Sequence, residues 1–147
     1  MARVMATGVF DLLHVGHLHY LEEAKKLGDE LIVVVASDET VKKRKHTPIM
    51  PQEMRRRLVE ALKPVDKAVV GHVGDPLTIV EEINPDIIAL GYDQEMEGLE
   101  EELRKRGLKA KVVRCSKYED YDLNGTRKII RKIEEKIEKK ELYKGGE

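Results

Sequence analysis

The sequence predicts an α/β fold in which helices cover both faces of a doubly wound, parallel sheet of five strands in the order 3-2-1-4-5. Apolar, β-branched runs alternate along the chain with segments of helical periodicity, and this alternation is typical of parallel sheets. The runs at 31–35 and 87–90 are apolar at every position, as expected of strands that are buried on both faces. With 147 residues the chain is long enough for one domain with its own core. We expect this domain at 1–143 and a disordered tail at 144–147.

Strands and helices are expected to alternate along the whole domain. The strands are predicted at 2–7, 30–36, 67–71, 86–91 and 110–114. The helices are predicted near 15–27, 51–63, 76–84, 95–106 and 125–142. Pro51 and Pro76 suit the first turns of the second and third helices, where a missing N–H does no harm. Ligands of such sheets bind beyond the carboxyl ends of the strands, where the strand order reverses. Residues 14–17 and 92–94 should therefore line one crevice.

The composition excludes several classes of protein. Charged residues make up 37% of the chain, but its net charge is −1, so no basic field would draw it to nucleic acid. No apolar run approaches the roughly 18 residues of a membrane span, and the N-terminus lacks a signal-peptide pattern. Cys115 is the single cysteine, which excludes an intramolecular disulfide and fits a reducing compartment. We therefore expect a soluble, cytoplasmic protein with no nucleic-acid or membrane partner.

The segment 7–17, Thr-Gly-Val-Phe-Asp-Leu-Leu-His-Val-Gly-His, stands where the first strand passes into the first helix. A helix N-terminus offers unpaired N–H groups and a partial positive charge, so it favours phosphate. Gly16 would let a phosphate approach the backbone without a Cβ in the way. His14 and His17, three residues apart, could donate hydrogen bonds to one anion. Zinc binding and incidental placement are the alternatives for this pair, although no further residues complete a structural zinc site at a usual spacing.

This segment resembles the HxGH signature of the small nucleotidyltransferases of the cytidylyltransferase-like superfamily, and the resemblance extends to about residue 115. Within that superfamily, the segments 38–43, 55–57, 60–66 and 85–94 resemble the archaeal FAD synthase branch, a cousin of the glycerol-3-phosphate cytidylyltransferases. The resemblance implies a Rossmann-like fold, a homodimer, and a divalent cation, Mg²⁺, that is carried with the nucleotide rather than held by the protein's own metal site.

The resemblance also implies roles for individual residues. His14 and His17 would stabilise the α-phosphate, and Lys42 and Arg55 would hold the pyrophosphate, with help from a cation at 44 or 45. The nucleotide-binding residues that it implies are Val9, Phe10, His14, Val15, Gly16, His17, Asp93, Tyr121 and Thr126. No Ser-His-Asp or Cys-His nucleophile is evident, which agrees with direct in-line attack by an acceptor phosphate that is already largely dianionic.

Several of these residues have a structural alternative. The run 42–45, Lys-Lys-Arg-Lys, could be only a solvated charged face. Asp93 could N-cap the following helix instead of facing the ribose or base. Asp11 could cap the first helix, order its loop or help to hold a divalent ion. Tyr118 or Tyr121 could stack on a planar base or flavin, or pack over the edge of the sheet.

The sequence as a whole predicts an enzyme that transfers AMP from ATP to FMN, giving FAD and pyrophosphate. A cytidylyltransferase that uses CTP and glycerol 3-phosphate or another polyol phosphate is the second hypothesis, and a non-catalytic nucleotide sensor is the third. Segment 118–128 favours the first over the second, because it lacks the Arg-x-x-Gly-Ile-Ser-Thr-Thr-like pattern of the cytidylyltransferase cousins. The last predicted helix carries isoleucines along one face, which favours core packing and leaves a dimer seam as an alternative.

Overall fold

Five strands and six helices follow one another along residues 2–44, 46–95 and 97–141, which are the residues that this computed structural model describes. The strands are β1 (Arg3–Gly8), β2 (Glu30–Val35), β3 (Lys67–Val70), β4 (Ile87–Leu90) and β5 (Lys111–Arg114). The helices are α1 (Val15–Lys26), α2 (Asp38–Lys43), α3 (Gln52–Glu60), α4 (Leu77–Ile83), α5 (Leu99–Lys105) and α6 (Thr126–Glu138). All neighbouring strands pair in parallel, in the order β3-β2-β1-β4-β5, so the predicted fold class and strand order are confirmed.

The sequence-based element bounds are wrong at four places, one of them the end of α3, which lies at Glu60 rather than 63. The prediction omits α2, a six-residue helix too short to show a period, which starts where the Ser37 hydroxyl accepts a hydrogen bond from the Thr40 N–H at 3.1 Å. The helix expected from 95 begins only at Leu99, because Gly98 at its N-cap has φ 76°. The last helix ends at Glu138 rather than 142. Lys45 and the predicted tail lie outside the described residues.

Two apolar layers hold the sheet between its helices. On one face the core joins α1 and α3 to β1 and β2, and on the other it joins α4 and α5 to β4 and β5. Five consecutive residues of β2 are buried, as its continuous apolar run predicts. Among the described residues no helix has the length and apolar character needed to cross a bilayer.

A division opens in the sheet where the strands β1 and β4 separate. β1 is paired with β2 along its whole length, from Arg3 to Gly8, but with β4 only from Val4 to Ala6. The Tyr20 hydroxyl fills this division: it donates to the Ala89 carbonyl at 2.6 Å and accepts from the Thr7 N–H at 3.1 Å. Gln94 does the same nearer the rim, since its amide accepts from the Gly91 N–H at 2.6 Å and donates to the Thr7 carbonyl at 3.1 Å. Side chains thus satisfy the backbone groups that diverging strands leave unpaired.

Candidate active site

A cavity of about 620 Å³ opens at the carboxyl ends of the central strands. Its wall comes from five segments: the loop between β1 and α1, the residues after α2, the residues after β4, the residues after β5, and the start of α6. Residues His14, Gly16 and His17 line it from one side and residues 92–94 from another, so the two segments lie in one crevice as predicted.

The two histidines are fixed by hydrogen bonds at the start of α1. His14 is the N-cap, and its Nδ1 accepts from the Gly16 N–H at 3.1 Å. The Nδ1 of His17 accepts from the His14 N–H at 3.3 Å, and the two rings stack with their centroids 3.7 Å apart. Because each Nδ1 is an acceptor, each neutral ring carries its proton on Nε2. The capping interactions therefore select the tautomer of both rings.

Burial also keeps this pair uncharged. It lowers the pKa of His17 to about 3, and a positive charge on His14 would act in the same direction. Burial lowers the pKa of His14 below its ordinary value as well. At neutral pH the pair thus provides two neutral N–H donors, placed at a helix N-terminus that itself favours an anion.

The loop that leads into α1 has a strained backbone. Phe10 and Leu12 have φ angles of 57° and 51°, in the left-handed region that side chains other than glycine rarely adopt. The Phe10 ring is buried and packs edge-on against the ring of His17, with 5.3 Å between the centroids, and it lies parallel to the ring of Tyr20. Packing of this ring maintains the strained conformation and, through it, the position of His17.

Contacts within the protein, rather than a bound phosphate, require a glycine at position 16. A Cβ at this position would lie 2.6 Å from the Asn124 carbonyl oxygen and 2.9 Å from the His14 ring. The segment before α6 occupies the space that the sequence analysis assigned to a phosphate. Gly16 still lines the cavity, but the close approach that excludes a side chain is made by Asn124 and His14.

Asp11 orders its loop rather than capping α1. Its two carboxylate oxygens accept from consecutive N–H groups, those of Ile49 at 2.7 Å and Met50 at 3.0 Å. Its carbonyl oxygen accepts from the Thr126 hydroxyl at 2.9 Å. One residue therefore connects the loop before α1 to the segment after α2 and to the start of α6, and all three belong to the wall of the cavity.

Arg55 does not line the cavity, which corrects the expectation that it holds the pyrophosphate. Its side chain is fully buried. Nε donates to the Met50 carbonyl, and Nη1 donates to the Val9 and Ala36 carbonyls, each at 2.8 Å. Nη2 donates to a carboxylate oxygen of Asp38 at 2.7 Å. Arg55 thus connects three loops at the carboxyl edge of the sheet, and its donors are directed at the protein.

Asp38 is the ionic partner of this arginine. Partial desolvation is the largest single influence and acts to raise the pKa of Asp38, but hydrogen bonds from Arg55 and the Gln52 backbone, together with the charges of Arg55 and Lys42, outweigh it and lower that pKa below its ordinary value. The carboxylate is therefore ionised at neutral pH and compensates the buried guanidinium.

The basic run is divided between two environments. Arg44 lines the cavity, whereas Lys42 is exposed on α2 and is not part of the wall. Lys45 lies outside the described residues. Val15, the first residue of α1, is also absent from the wall.

Asp93 lies in the cavity wall and does not cap a helix, since α5 has Gly98 at its N-cap. Tyr121 is exposed and does not line the cavity. Its ring stacks at 6.0 Å between centroids on that of Tyr118, which does line it. Thr126 is in the wall, where its hydroxyl is bound to Asp11.

Sequence reasoning missed several parts of the wall. Lys117 follows β5, and its Nζ lies 5.5 Å from the centroid of the Tyr92 ring. Ile49, although 61% exposed, contributes an apolar side chain at the rim. Lys117 could have been predicted as part of the wall, because it follows the carboxyl end of a strand. Tyr20, which also lines the cavity, could not have been, because its spacing in α1 is that of an ordinary core residue. Across residues 2–44, 46–95 and 97–141, no group of three or more His, Cys, Asp or Glu is placed to hold a metal ion.

Comparison with known proteins gives consistent matches along the chain. A family model described as cytidylyltransferase-like matches residues 5–140. A protein from Aciduliprofundum boonei named FAD synthase is 61% identical over 145 residues, 97% of this chain and 96% of that protein. One of the same name from Ferroglobus placidus is 57% identical over 135 residues, 90% of this chain and 88% of that protein. A crystal structure from Thermoplasma volcanium, described as a lipopolysaccharide core biosynthesis protein, has a TM-score of 0.79 at 53% identity and covers 81% of this chain and 99% of that one.

Proposed function

The chain belongs to the cytidylyltransferase-like family, and from this premise we propose that it is an FAD synthase, which transfers AMP from ATP to FMN and releases pyrophosphate. The names of its relatives support the acceptor and the donor. One structural observation supports the chemistry: two neutral histidines of fixed tautomer line one cavity at the N-terminus of α1.

The reaction needs positioning more than acid–base chemistry. A phosphate oxygen of FMN forms a bond to the α-phosphorus of ATP as the bond from that phosphorus to the bridging oxygen of the pyrophosphate breaks. The phosphate monoester has a second pKa of about 6 and is largely dianionic at neutral pH, so it needs no general base. The Nε2–H groups of His14 and His17 donate to the α-phosphate oxygens, on which charge accumulates in the transition state.

The remaining contacts follow from the wall of the cavity. Arg44 and Arg127, which line it from different segments, hold the pyrophosphate as it leaves. Lys42, two residues before Arg44, reaches the same phosphates if the backbone at the end of α2 changes conformation. Asp93, beyond the end of β4, accepts hydrogen bonds from the ribose hydroxyls.

A divalent cation, Mg²⁺, would enter with the nucleotide and neutralise its phosphates, as is usual for this ion at nucleotide sites. The cavity fits such a complex, because its wall supplies N–H donors and arginines that suit phosphate oxygens. Asp11 is a poor candidate ligand, since both of its carboxylate oxygens already accept backbone N–H groups.

The proposal is tested by measuring pyrophosphate release and product mass with each of two substrate pairs. With Mg²⁺, ATP and FMN we expect FAD and an equal amount of pyrophosphate. With CTP and glycerol 3-phosphate we expect no product, because the start of α6 lacks the residues that the cytidylyltransferase cousins have there. Formation of CDP-glycerol would replace the proposed function by the polyol-phosphate alternative, and tight binding of ATP without turnover of either pair would make the protein a sensor.

Replacing Asp11 by alanine is expected to raise the KM for ATP roughly tenfold, with a smaller change in kcat. A hydrogen bond to a charged group contributes about 1.5–3 kcal/mol, and the substitution removes two of them from the segment after α2. Steady-state kinetics at varied ATP concentrations measure the effect. Asp11→Asn is the matched control, because its amide oxygen retains one acceptor. Its KM for ATP should therefore lie between those of wild type and Asp11→Ala.

Magnesium titration separates this role from metal binding. If Asp11 were a metal ligand, both variants would need a much higher Mg²⁺ concentration for half-maximal activity, and Asp11→Asn would be no better than Asp11→Ala. That pattern would contradict the loop-ordering role.

A further inference from the structure

The segment between β5 and α6, residues 115–125, supplies much of the cavity wall although it is neither helix nor strand. The wall residues of this post-β5 segment are Ser116, Lys117, Tyr118, Asn124 and Gly125. β5 is an edge strand, and within the described residues its backbone hydrogen bonds to β4 end with the one that the Cys115 N–H donates to the Leu90 carbonyl at 2.7 Å. From Ser116 onward, contacts outside the sheet must therefore hold the segment in the wall.

Two side chains of α1 hold the start of this segment. The Glu23 carboxylate accepts from the Ser116 N–H at 2.8 Å, and its other oxygen accepts from the Ser116 hydroxyl. His19, one turn earlier on α1, places Nε2 at 3.0 Å from the Ser116 hydroxyl oxygen and at 3.2 Å from Glu23. A carboxylate can only accept, and the hydroxyl proton is already directed at it, so Nε2 of His19 carries the proton and donates. Three side chains thus join α1 to the post-β5 segment.

The Glu23 carboxylate is ionised in this arrangement. Partial desolvation is the largest single influence and acts to raise its pKa, but the hydrogen bonds from Ser116, together with the charge of Lys26 and a positive charge on His19, outweigh it and lower that pKa below its ordinary value. Hydrogen bonds to a charged acceptor are stronger than those to a neutral one. Glu23 is therefore the main attachment of the segment to α1.

The ring of Tyr118 is the part of the segment that this attachment places. It is half-buried, lines the cavity and lies 5.3 Å from the His19 ring, measured between centroids. The Tyr121 ring stacks on it at 6.0 Å, and the Tyr118 carbonyl accepts from the Asn124 amide. An aromatic ring in a cavity wall offers a flat surface on which a planar heterocycle can stack.

We propose that Glu23 and His19 are positioning residues for this reaction. They fix the post-β5 segment to α1, so that the Tyr118 ring can stack on a planar heteroaromatic ring of a substrate. The inference rests on the proposed function, in which both substrates carry such a ring: the adenine of ATP and the isoalloxazine of FMN.

The helix α1 connects this stacking surface to the phosphate site. His14 and His17 stand at its start, and at about 1.5 Å per residue Glu23 lies about 9 Å further along the axis than His17. One rigid element thus carries both the donors for the α-phosphate and the attachment of the stacking ring. It thereby sets the distance between them.

A purely structural role for Glu23 is the competing explanation, and α1 contains a contact of that kind for comparison. Lys25 Nζ donates to the Asp66 carboxylate at 2.5 Å and to the Asp29 carbonyl at 2.8 Å. Asp66 precedes β3, so this contact lies at the amino edge of the sheet, opposite the cavity. Lys25→Ala is therefore the control for loss of a contact that only stabilises the fold.

Equilibrium binding of each substrate separates the two explanations and identifies the ring. Calorimetry measures the Kd for ATP. Flavin fluorescence measures the Kd for FMN in saturating α,β-methylene-ATP, in which a methylene bridge replaces the oxygen of the bond that breaks. Glu23→Ala should raise the Kd of one substrate on the order of tenfold, the scale of one stacking contact, and leave the other nearly unchanged. A loss for ATP assigns adenine to Tyr118, and a loss for FMN assigns isoalloxazine.

A double-mutant cycle tests whether Glu23 acts through the Tyr118 ring. Tyr118→Leu should weaken binding of the same substrate at least as much as Glu23→Ala does, and the double variant should bind no more weakly than Tyr118→Leu alone. Tyr118→Phe should retain more of the affinity than Tyr118→Leu, since stacking needs the ring rather than the hydroxyl. Glu23→Gln should lie between wild type and Glu23→Ala, because its amide oxygen still accepts one hydrogen bond. Circular dichroism confirms that each variant is folded.

Four results would each overturn the proposal: unchanged binding of both substrates by Glu23→Ala, an equal loss for both, effects of Glu23→Ala and Tyr118→Leu that multiply, or a loss of the same size in Lys25→Ala. FAD formation by wild type is measured separately. A failure of the proposed reaction therefore does not alter what the binding experiments decide.

Discussion

Replacing His17 by asparagine is expected to lower the kcat of FAD formation by about 10²- to 10³-fold, the scale for loss of one transition-state donor. The asparagine Oδ1 can take the place of the histidine Nδ1 and accept from the His14 N–H, so the cap of α1 remains. What it lacks is a donor at the position of Nε2. We therefore expect the Kd for ATP, measured by calorimetry, to change only a few-fold while turnover falls.

His17→Gln is the complementary variant, because its longer side chain can place an amide donor near the Nε2 position. It should retain more turnover than His17→Asn. Equal turnover in wild type and His17→Asn would remove the catalytic role of this ring. A parallel loss of ATP binding and turnover would make it a ground-state contact instead.

Replacing Arg55 by methionine is expected to lower the free energy of unfolding by at least about 3 kcal/mol, because hydrogen bonds of charged groups contribute about 1.5–3 kcal/mol each and those of the buried guanidinium are all lost. The substitution leaves Asp38 without its cation and three loop carbonyls without their donors. Urea denaturation followed by circular dichroism measures the loss.

Arg55→Lys separates this structural role from phosphate binding. A single ammonium cannot reproduce the guanidinium fork, so it should also destabilise the fold, though by less than methionine does. Asp38→Asn should have a smaller effect still, since its amide oxygen can accept from Nη2. A stable Arg55→Lys protein with a raised KM for ATP would show that the arginine acts on the nucleotide after all.

The fold could be predicted because its signals are local and repeated. The continuous apolar runs of β2 and β4 can be buried only between two helical layers, and the strands between them alternate with helices. The crevice followed from the strand order alone, since carboxyl ends of parallel strands meet at one edge. The short helix α2 escaped prediction because six residues contain too few turns to show a period.

The roles of individual site residues depend on contacts that a sequence does not contain. Three arginines stand together at 55–57, and only the orientation of α3 determines which of them points into the protein. Arg55 is buried, whereas Arg56 pairs with Glu53 and Glu60 on the surface of the same helix. Asp11 similarly acts on N–H groups that are 38 and 39 positions away along the chain.

The side chains of Tyr20 and Gln94, which close the division between β1 and β4, make the floor of the cavity independent of any ligand. The floor has its final shape before substrate arrives, so binding there carries little loss of conformational entropy. At the rim, Asp11 holds the segment at 49–50 by two hydrogen bonds. A phosphate that enters the cavity would therefore meet a preorganised set of donors.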